Sequence, residues 1–229
     1  IIVTNTPDVL TDATADLALT LILMVSRRTG EGEREIRQGL WKGWKPTHML
    51  GRQITGKTLG IVGMGRIGRA TALRAAQGFG MKIVFYNRSP LLDWGPIEAK
   101  QLSSVDEVCA SSDVISLHCA SSKDTRHIIN QKAISKMKSD ATIINTARGD
   151  VLDEDALADA LEQRRIGGAG LDVFQNEPNI SSRLINAPNI VLLPHLGSAT
   201  FETRNAMGMR ALKNLEAFFS GRNVLDPVA

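Results

Sequence analysis

The sequence predicts an α/β protein built on a doubly wound, parallel sheet. Three observations predict it. Six short apolar runs recur along the chain, at TLGIV (58–62), KIVFY (82–86), DVISL (113–117), ATIIN (141–145), GAGLDV (168–173) and NIVLL (189–193). Segments with helical character separate them, and a glycine-rich turn joins the first run to the helix behind it. Apolar strands alternating with helices specify a parallel sheet covered on both faces, because each crossover lays a helix across the sheet. With 229 residues the chain can bury one large domain, or one domain and a portion of another.

Taken in order, IIV (1–3) reads as the tail of a strand, and with no initiator Met the chain is expected to be a piece of a longer one. A helix is expected from Thr11 or Asp12 to Arg27-Arg28, with Gly30 as its C-cap. Ala15, Leu17, Leu19, Leu21, Ile22, Leu23 and Val25 cover most of its circumference, which predicts burial nearly all round. Residues 31–52 break the pattern, and LWKGWKPTHMLGR (40–52) reads as a long loop of the kind that serves a site or an interface. Helices are expected near 66–78, 104–110, 130–136 and 153–165. The last opens on Asp153, Glu154 and Asp155 and closes on Arg164 and Arg165 before Gly167. A final helix over about 199–220 precedes the tail GRNVLDPVA.

Composition excludes several classes. The net charge is +3, with no Lys/Arg block and with one Tyr and three Trp, so no nucleic-acid platform is expected. Cys109 and Cys119 make no metal-ligand or CxxC spacing and read as reduced thiols of a cytoplasmic protein. The longest apolar run, 15–25, carries Asp16 and is too short to span a bilayer, and no charged leader precedes it, so no membrane partner is expected.

The glycine turn is Gly63-Met64-Gly65-Arg66-Ile67-Gly68, set between a strand and an alanine-rich helix, with a second strand following. That context marks a Rossmann-type dinucleotide site. Gly63 permits the tight turn, Gly65 the approach of a pyrophosphate, and Gly68 the close packing of helix on strand. The first free N–H groups of the helix, at Arg66 and Ile67, face the phosphates, where the helix dipole favours negative charge.

About twenty residues on, such sites carry an acidic residue for the adenosine ribose. Here the stretch is FYNRSP (85–90), with Asn87, Arg88 and Ser89 in its place. A guanidinium flanked by two hydrogen-bonding side chains suits a 2′-phosphate, so NADP(H) is the expected preference with NAD(H) possible. The alternative is that Arg88 stacks on adenine and both cofactors bind.

Three motifs follow later strands, where doubly wound sheets bind ligands. They are NTARG (145–149), DVFQNEP (172–178) and PHLGSAT (194–200). Singly, Arg148 reads as a surface ion pair, Glu177 as a solvated carboxylate and His195 as a turn histidine. Together they offer a cation to grip a carboxylate, an imidazole to move a proton and a carboxylate to orient it.

On these residues, with VTNTPDVLTDATAD (3–16), GKTLGIVGMGRIG (56–68), INTARGDVLDEDAL (144–157), AGLDVFQNEP (169–178) and PNIVLLPHLGSAT (188–200), the chain resembles the D-isomer-specific 2-hydroxyacid dehydrogenases. Asn-Arg-Ser in place of an acidic residue points to their glyoxylate/hydroxypyruvate reductase branch. The resemblance implies that His195 protonates a 2-oxo acid's carbonyl oxygen while hydride arrives from NADPH or NADH, that Arg148 binds the substrate carboxylate, and that Glu177 keeps the imidazole charged. It also implies that Asp172, Gly197 and Ser198 line the nicotinamide, and that Ala120, Thr125, Thr146, Ala147, Arg148 and His195 lie along the cofactor. His118-Cys119-Ala120-Ser121-Ser122 departs from the family's His-x-Pro-Leu-Thr, and Ala120 lacks the proline's fixed φ. His118 reads as structural.

The implied organisation is a dinucleotide-binding domain over 1–198, with a homodimer-forming segment over about 10–52 that includes Trp41, Trp44 and Met49. Residues 199–229 belong with a substrate domain whose N-terminal part the chain lacks, leaving Met207, Leu212, Leu215, Phe218 and Phe219 exposed. Two other functional readings accompany this one: a cofactor-binding, dimerising fragment without turnover, and a dinucleotide-sensing regulator of the co-repressor type.

Overall fold

The structure, a computed structural model, describes residues 1–228. Among the described residues, seven parallel strands form one sheet: β1 (Thr58–Val62), β2 (Lys82–Tyr86), β3 (Ala99–Gln101), β4 (Val114–Leu117), β5 (Thr142–Asn145), β6 (Gly168–Leu171) and β7 (Ile190–Leu192). Their spatial order is β3-β2-β1-β4-β5-β6-β7. The strand order therefore reverses between β1 and β4, and the crevice beyond the C-terminal ends of these two strands is where such sheets take ligands.

The helices are α1 (Thr11–Ser26), α2 (Thr29–Arg37), α3 (Arg66–Phe79), α4 (Val105–Ser111), α5 (Gln131–Lys136), α6 (Glu154–Glu162), α7 (Ser182–Ile185) and α8 (Phe201–Phe219). Because successive strand residues point to opposite faces, the apolar runs feed two cores. Ile61, Val114 and Ile144 pack with Leu21, Ile22 and Val25 of α1 and Ala72 and Ala75 of α3. Ile115, Leu117 and Ile143 pack on the other side with Val108 of α4, Ile134 of α5 and Leu157 and Leu161 of α6.

Several expectations are corrected. The first helix is not buried nearly all round: Thr14, Ala15, Ala18, Leu21, Ile22 and Val25 form its buried stripe, while Leu17, Leu19 and Leu23 are only partly covered. Gly30 is not its C-cap. Arg27 ends α1, Arg28 takes a left-handed φ of 53°, and Gly30 lies inside α2. That second helix occupies the first part of the span 31–52, where the apolar pattern breaks. Its sequence TGEGEREIR carries no apolar stripe and buries no residue, so periodicity offers no signal. Ion pairs Arg28–Glu31 and Glu33–Arg37, with basic residues in the last turn, favour it locally.

Ile1–Val3 is not in a strand; Thr4 forms a lone antiparallel bridge with Pro227. GAGLDV ends as strand at Leu171, which leaves Asp172 free to turn inward. The short β3 and α7 lacked a readable pattern. Helix α8 buries only Thr203, Asn214 and Ala217. Leu212, Leu215, Phe218 and Phe219 are exposed as expected, whereas Met207 is half-covered. Among the described residues no helix is long and apolar enough to cross a membrane, and no cluster of three or more His, Cys, Asp or Glu could hold a metal ion.

Candidate active site

A cavity of about 800 Å³ opens at the N-terminal edge of the sheet among Arg28, Arg52, Lys57, Asp113, Asp140 and Arg164. None of the sequence-predicted site residues lines it. Those residues gather at the opposite, C-terminal edge.

At the switch point, Gly63 leaves β1 with φ 98°, and a Cβ there would come within 2.6 Å of the Cys119 amide nitrogen. Any side chain would force β1 and the β4 loop apart. A Cβ on Gly68 would meet the Gly63 carbonyl oxygen at 2.3 Å, so α3 can lie against the turn only with glycine there. Gly65 is different: nothing lies within 4 Å of a Cβ built on it. The turn therefore leaves open space in front of α3, whose N-cap has no side-chain hydrogen bond and whose first N–H groups lack intrahelical partners. Open space, free donors and a dipole fit a dinucleotide pyrophosphate. Arg66 pairs at 2.7 Å with Asp8, whose φ is 70°.

The β4 loop is held from within. Thr125 Oγ1 donates to the Ala120 carbonyl at 2.7 Å and accepts from Ser122 N–H at 2.8 Å. His118 Nε2 meets Ser116 Oγ at 2.9 Å, and burial lowers the His118 pKa to about 4, so the ring is neutral near pH 7 and its contacts are structural. Burial likewise pushes Cys119 up to about 11 and Cys109 up to about 12, which leaves both thiols protonated and inert.

After β5, Asn145 shapes the turn that presents Arg148. Its Oδ1 accepts from Ala147 N–H at 3.0 Å and its Nδ2 donates to the Arg148 carbonyl at 2.9 Å. Arg148 itself is exposed, and Thr146 Oγ1, two residues before it, is buried with no hydrogen-bond partner among the described residues. A buried hydroxyl without a partner is costly in a protein interior and fits a site completed by a ligand.

After β6 and β7 the residues interlock. Asp172 is 1% exposed, and its carboxylate accepts from Leu196 N–H at 2.6 Å and Gly197 N–H at 2.8 Å. Burial raises its pKa, partly offset by those two N–H groups. The His195 N–H donates to the Asp172 carbonyl at 3.0 Å, and His195 adopts φ 55°. A left-handed non-glycine residue costs roughly 1–3 kcal/mol and persists only where its surroundings over-determine it. Here Asp172 below and Thr14 Oγ1, donating to the Gly197 carbonyl at 3.0 Å, hold the turn from two sides. His195 Nδ1 meets Glu177 Oε2 at 2.8 Å, while Glu177 Oε1 accepts from Phe174 N–H at 3.0 Å. Burial pushes the Glu177 pKa up, but the bonds from His195 and Phe174 and the charges of His195 and Arg148 outweigh it, and the net shift is down. With Nδ1 engaged, Nε2 is the nitrogen left to face a reactant.

The structure thus brings Glu177, His195 and Asp172 into one network, with Arg148 near enough to act on the Glu177 charge. Ser198 follows on the same turn, its carbonyl accepting from Arg204 Nε at 3.2 Å. Asn87, Arg88 and Ser89 stand apart at the end of β2, roughly 24 Å away along the edge at ~4.8 Å per strand. Asn87 is half-buried there, and Arg88 and Ser89 are exposed. Sequence reasoning missed Thr14, which no local pattern sets apart from the other polar residues of α1. It also missed Gln101, whose Oε1 accepts from Leu91 N–H and whose Nε2 donates to the Ser89 carbonyl.

A family model described as "D-isomer specific 2-hydroxyacid dehydrogenase, NAD binding domain" matches residues 19–197. Among curated relatives, the chain is 48% identical over 225 residues to a glyoxylate reductase of Thermococcus litoralis, covering 96% of this chain and 68% of that one. It is 43% identical over 226 residues to a glyoxylate/hydroxypyruvate reductase A of Arabidopsis thaliana, covering 99% and 70%. Among solved structures, the NADPH-dependent glyoxylate/hydroxypyruvate reductase of Sinorhizobium meliloti, in complex with NADP and malonate, superposes with a TM-score of 0.92 at 38% identity, covering all of this chain and 70% of that one.

Proposed function

Because the chain belongs to the D-isomer-specific 2-hydroxyacid dehydrogenases, a family of NAD(P)-dependent enzymes, we propose that it reduces a small 2-oxo acid such as glyoxylate or hydroxypyruvate to the 2-hydroxy acid, with NADPH preferred over NADH. The observation that carries this reading is the 2.8 Å contact between His195 Nδ1 and Glu177 Oε2 at the strand edge that also presents Arg148.

Arg148 holds the substrate carboxylate, for which a planar guanidinium offers two parallel donors. A reduced nicotinamide held beside Asp172, Gly197 and Ser198 would supply the hydride for the 2-oxo carbon. His195 Nε2 gives its proton to the carbonyl oxygen as negative charge develops there. Glu177 fixes the ring's orientation and, being ionised, favours the imidazolium form that has a proton to give. Asp172 holds the His195 turn through its backbone bonds, and its remaining lone pairs, with Gly197 and Ser198, line the nicotinamide. Gly63, Gly65, Gly68 and the N–H groups of Arg66 and Ile67 take the pyrophosphate; Ala120, Thr125, Thr146 and Ala147 flank the cofactor. Asn87, Arg88 and Ser89 take the 2′-phosphate.

The test is a panel of glyoxylate, hydroxypyruvate and pyruvate, each with NADPH and NADH, followed by the absorbance of the reduced cofactor. Turnover of at least one acid with the higher kcat/KM for NADPH is expected. Equal or better use of NADH removes the cofactor preference.

A second reading, that these 229 residues bind cofactor but turn over poorly by themselves, is favoured by the open apolar face of α8, where Phe201, Leu212, Leu215 and Phe219 are all exposed. Hydride transfer needs an enclosed substrate, so cofactor binding without turnover of any acid selects this reading. We also assign residues 199–229 to a substrate-domain element and the homodimer contact to the segment 10–52. Trp41 and Trp44, 51% and 82% exposed, are its aromatic anchors, with the half-covered Met49 beside them. A monomer in sedimentation at micromolar concentration refutes that contact.

A further inference from the structure

The turn from Asn87 to Leu91 leaves β2 at the outer part of the sheet and has little to hold it. The chain is stiffened at Pro90, whose ring fixes φ and restricts Ser89 before it. Asn87 Nδ2 donates to the Ser89 carbonyl at 3.2 Å. The other polar anchors come from one distant side chain. Gln101 Oε1 accepts from Leu91 N–H at 3.0 Å, and Gln101 Nε2 donates to the Ser89 carbonyl at 3.2 Å and the Asn87 carbonyl at 3.4 Å. The parallel pairing of β3 with β2 sets Gln101 opposite Phe85, two residues before the turn begins. The side chain therefore needs only its own length to reach both sides of the turn.

We propose that Gln101 is a positioning residue for cofactor specificity, which staples the Asn87–Leu91 turn in the shape that directs Asn87, Arg88 and Ser89 at the 2′-phosphate of an adenosine ribose. The inference rests on the NADP(H) preference proposed above. The residue type matters: a carboxamide carries an acceptor and a two-hydrogen donor on one planar group, and this turn uses both. A carboxylate serves Leu91 but has nothing to donate to the two carbonyls. Holding the turn before the ligand arrives also removes an ordering cost that binding would otherwise bear.

The experiment measures calorimetric affinities of the 229-residue chain for 2′,5′-ADP and 5′-AMP, and needs no turnover. The wild type binds 2′,5′-ADP more tightly than 5′-AMP, and Arg88→Ala removes the difference. Gln101→Ala weakens 2′,5′-ADP about tenfold while changing 5′-AMP less than about twofold, as loss of these bonds at one end of the ligand predicts. Gln101→Glu keeps the shape and the Leu91 acceptor, so it reports even if the alanine variant fails to fold; it loses at least as much affinity for 2′,5′-ADP. A wild type that binds the two probes alike overturns the NADP(H) reading and the inference with it. A discriminating wild type whose Gln101 variants discriminate equally well, or lose both probes to the same extent, overturns the inference alone.

Discussion

At the β6–β7 end of the sheet edge, the polar groups around the imidazole are paired: Asp172 to Leu196 and Gly197, Glu177 to Phe174 and His195, and Thr14 to Gly197. At the β2 end, Arg88 and Ser89 lie open on a turn braced by Asn87 and one glutamine. The contrast matches two tasks. A proton donor must be aimed to within a fraction of an ångström, which favours a residue locked by several partners even at the expense of a left-handed backbone at His195. A group that grips a phosphate in solvent works through charge over a longer range and tolerates a looser mount.

The comparison can be broken at either end. His195→Ala has the largest expected effect, a fall in kcat of about 10²–10⁴-fold with the Kd for NADPH nearly unchanged, since only the proton donor is lost. A modest kcat loss would mean that the proton comes from elsewhere. Arg88→Ala is expected to cost about 10–100-fold in kcat/KM for NADPH and little for NADH, the scale of losing a hydrogen bond to a charged group. An equal loss for both cofactors would move Arg88 from phosphate to adenine.

Glu177→Gln sharpens the comparison through pH. Glu177 has a lowered pKa, so its charge is present above the ordinary carboxylate range and disappears only as pH falls through the lowered value. Across neutral pH the carboxylate is therefore charged, and the wild-type rate is expected to fall only in acid, as that charge is lost. Glu177→Gln should lower kcat at neutral pH and abolish that acid limb. A variant with wild-type kcat and an unchanged acid limb excludes Glu177 from the dyad. The smallest effect belongs to Thr14→Val, which strands the buried Gly197 carbonyl and costs about 1–3 kcal/mol of stability, read as a lower Tm. Because the His195 turn loses one of two supports, kcat should fall with it; a lower Tm with full kcat would show Asp172 sufficient alone.

Much of the fold was legible because its signals are local. TLGIV, KIVFY and the runs after them became strands within a residue or two of their expected limits, and α3 and α6 start where glycine and acidic residues mark them. The misses share a cause. Helix α2 has charge pairs instead of a buried stripe, β3 is three residues long, and Gly30 looked like a cap but lies within a helix. None of these carries the apolar periodicity by which the other elements are read.

The parallel architecture, the glycine turn and the residues able to carry chemistry are encoded locally, since apolar periodicity and turn chemistry act over a few residues. That Glu177 reaches His195, that Thr14 secures the turn 183 positions away, and that Gln101 braces Asn87–Leu91 are matters of docking. Those contacts form when whole strands and helices dock, and no short-range pattern encodes which side chains then meet.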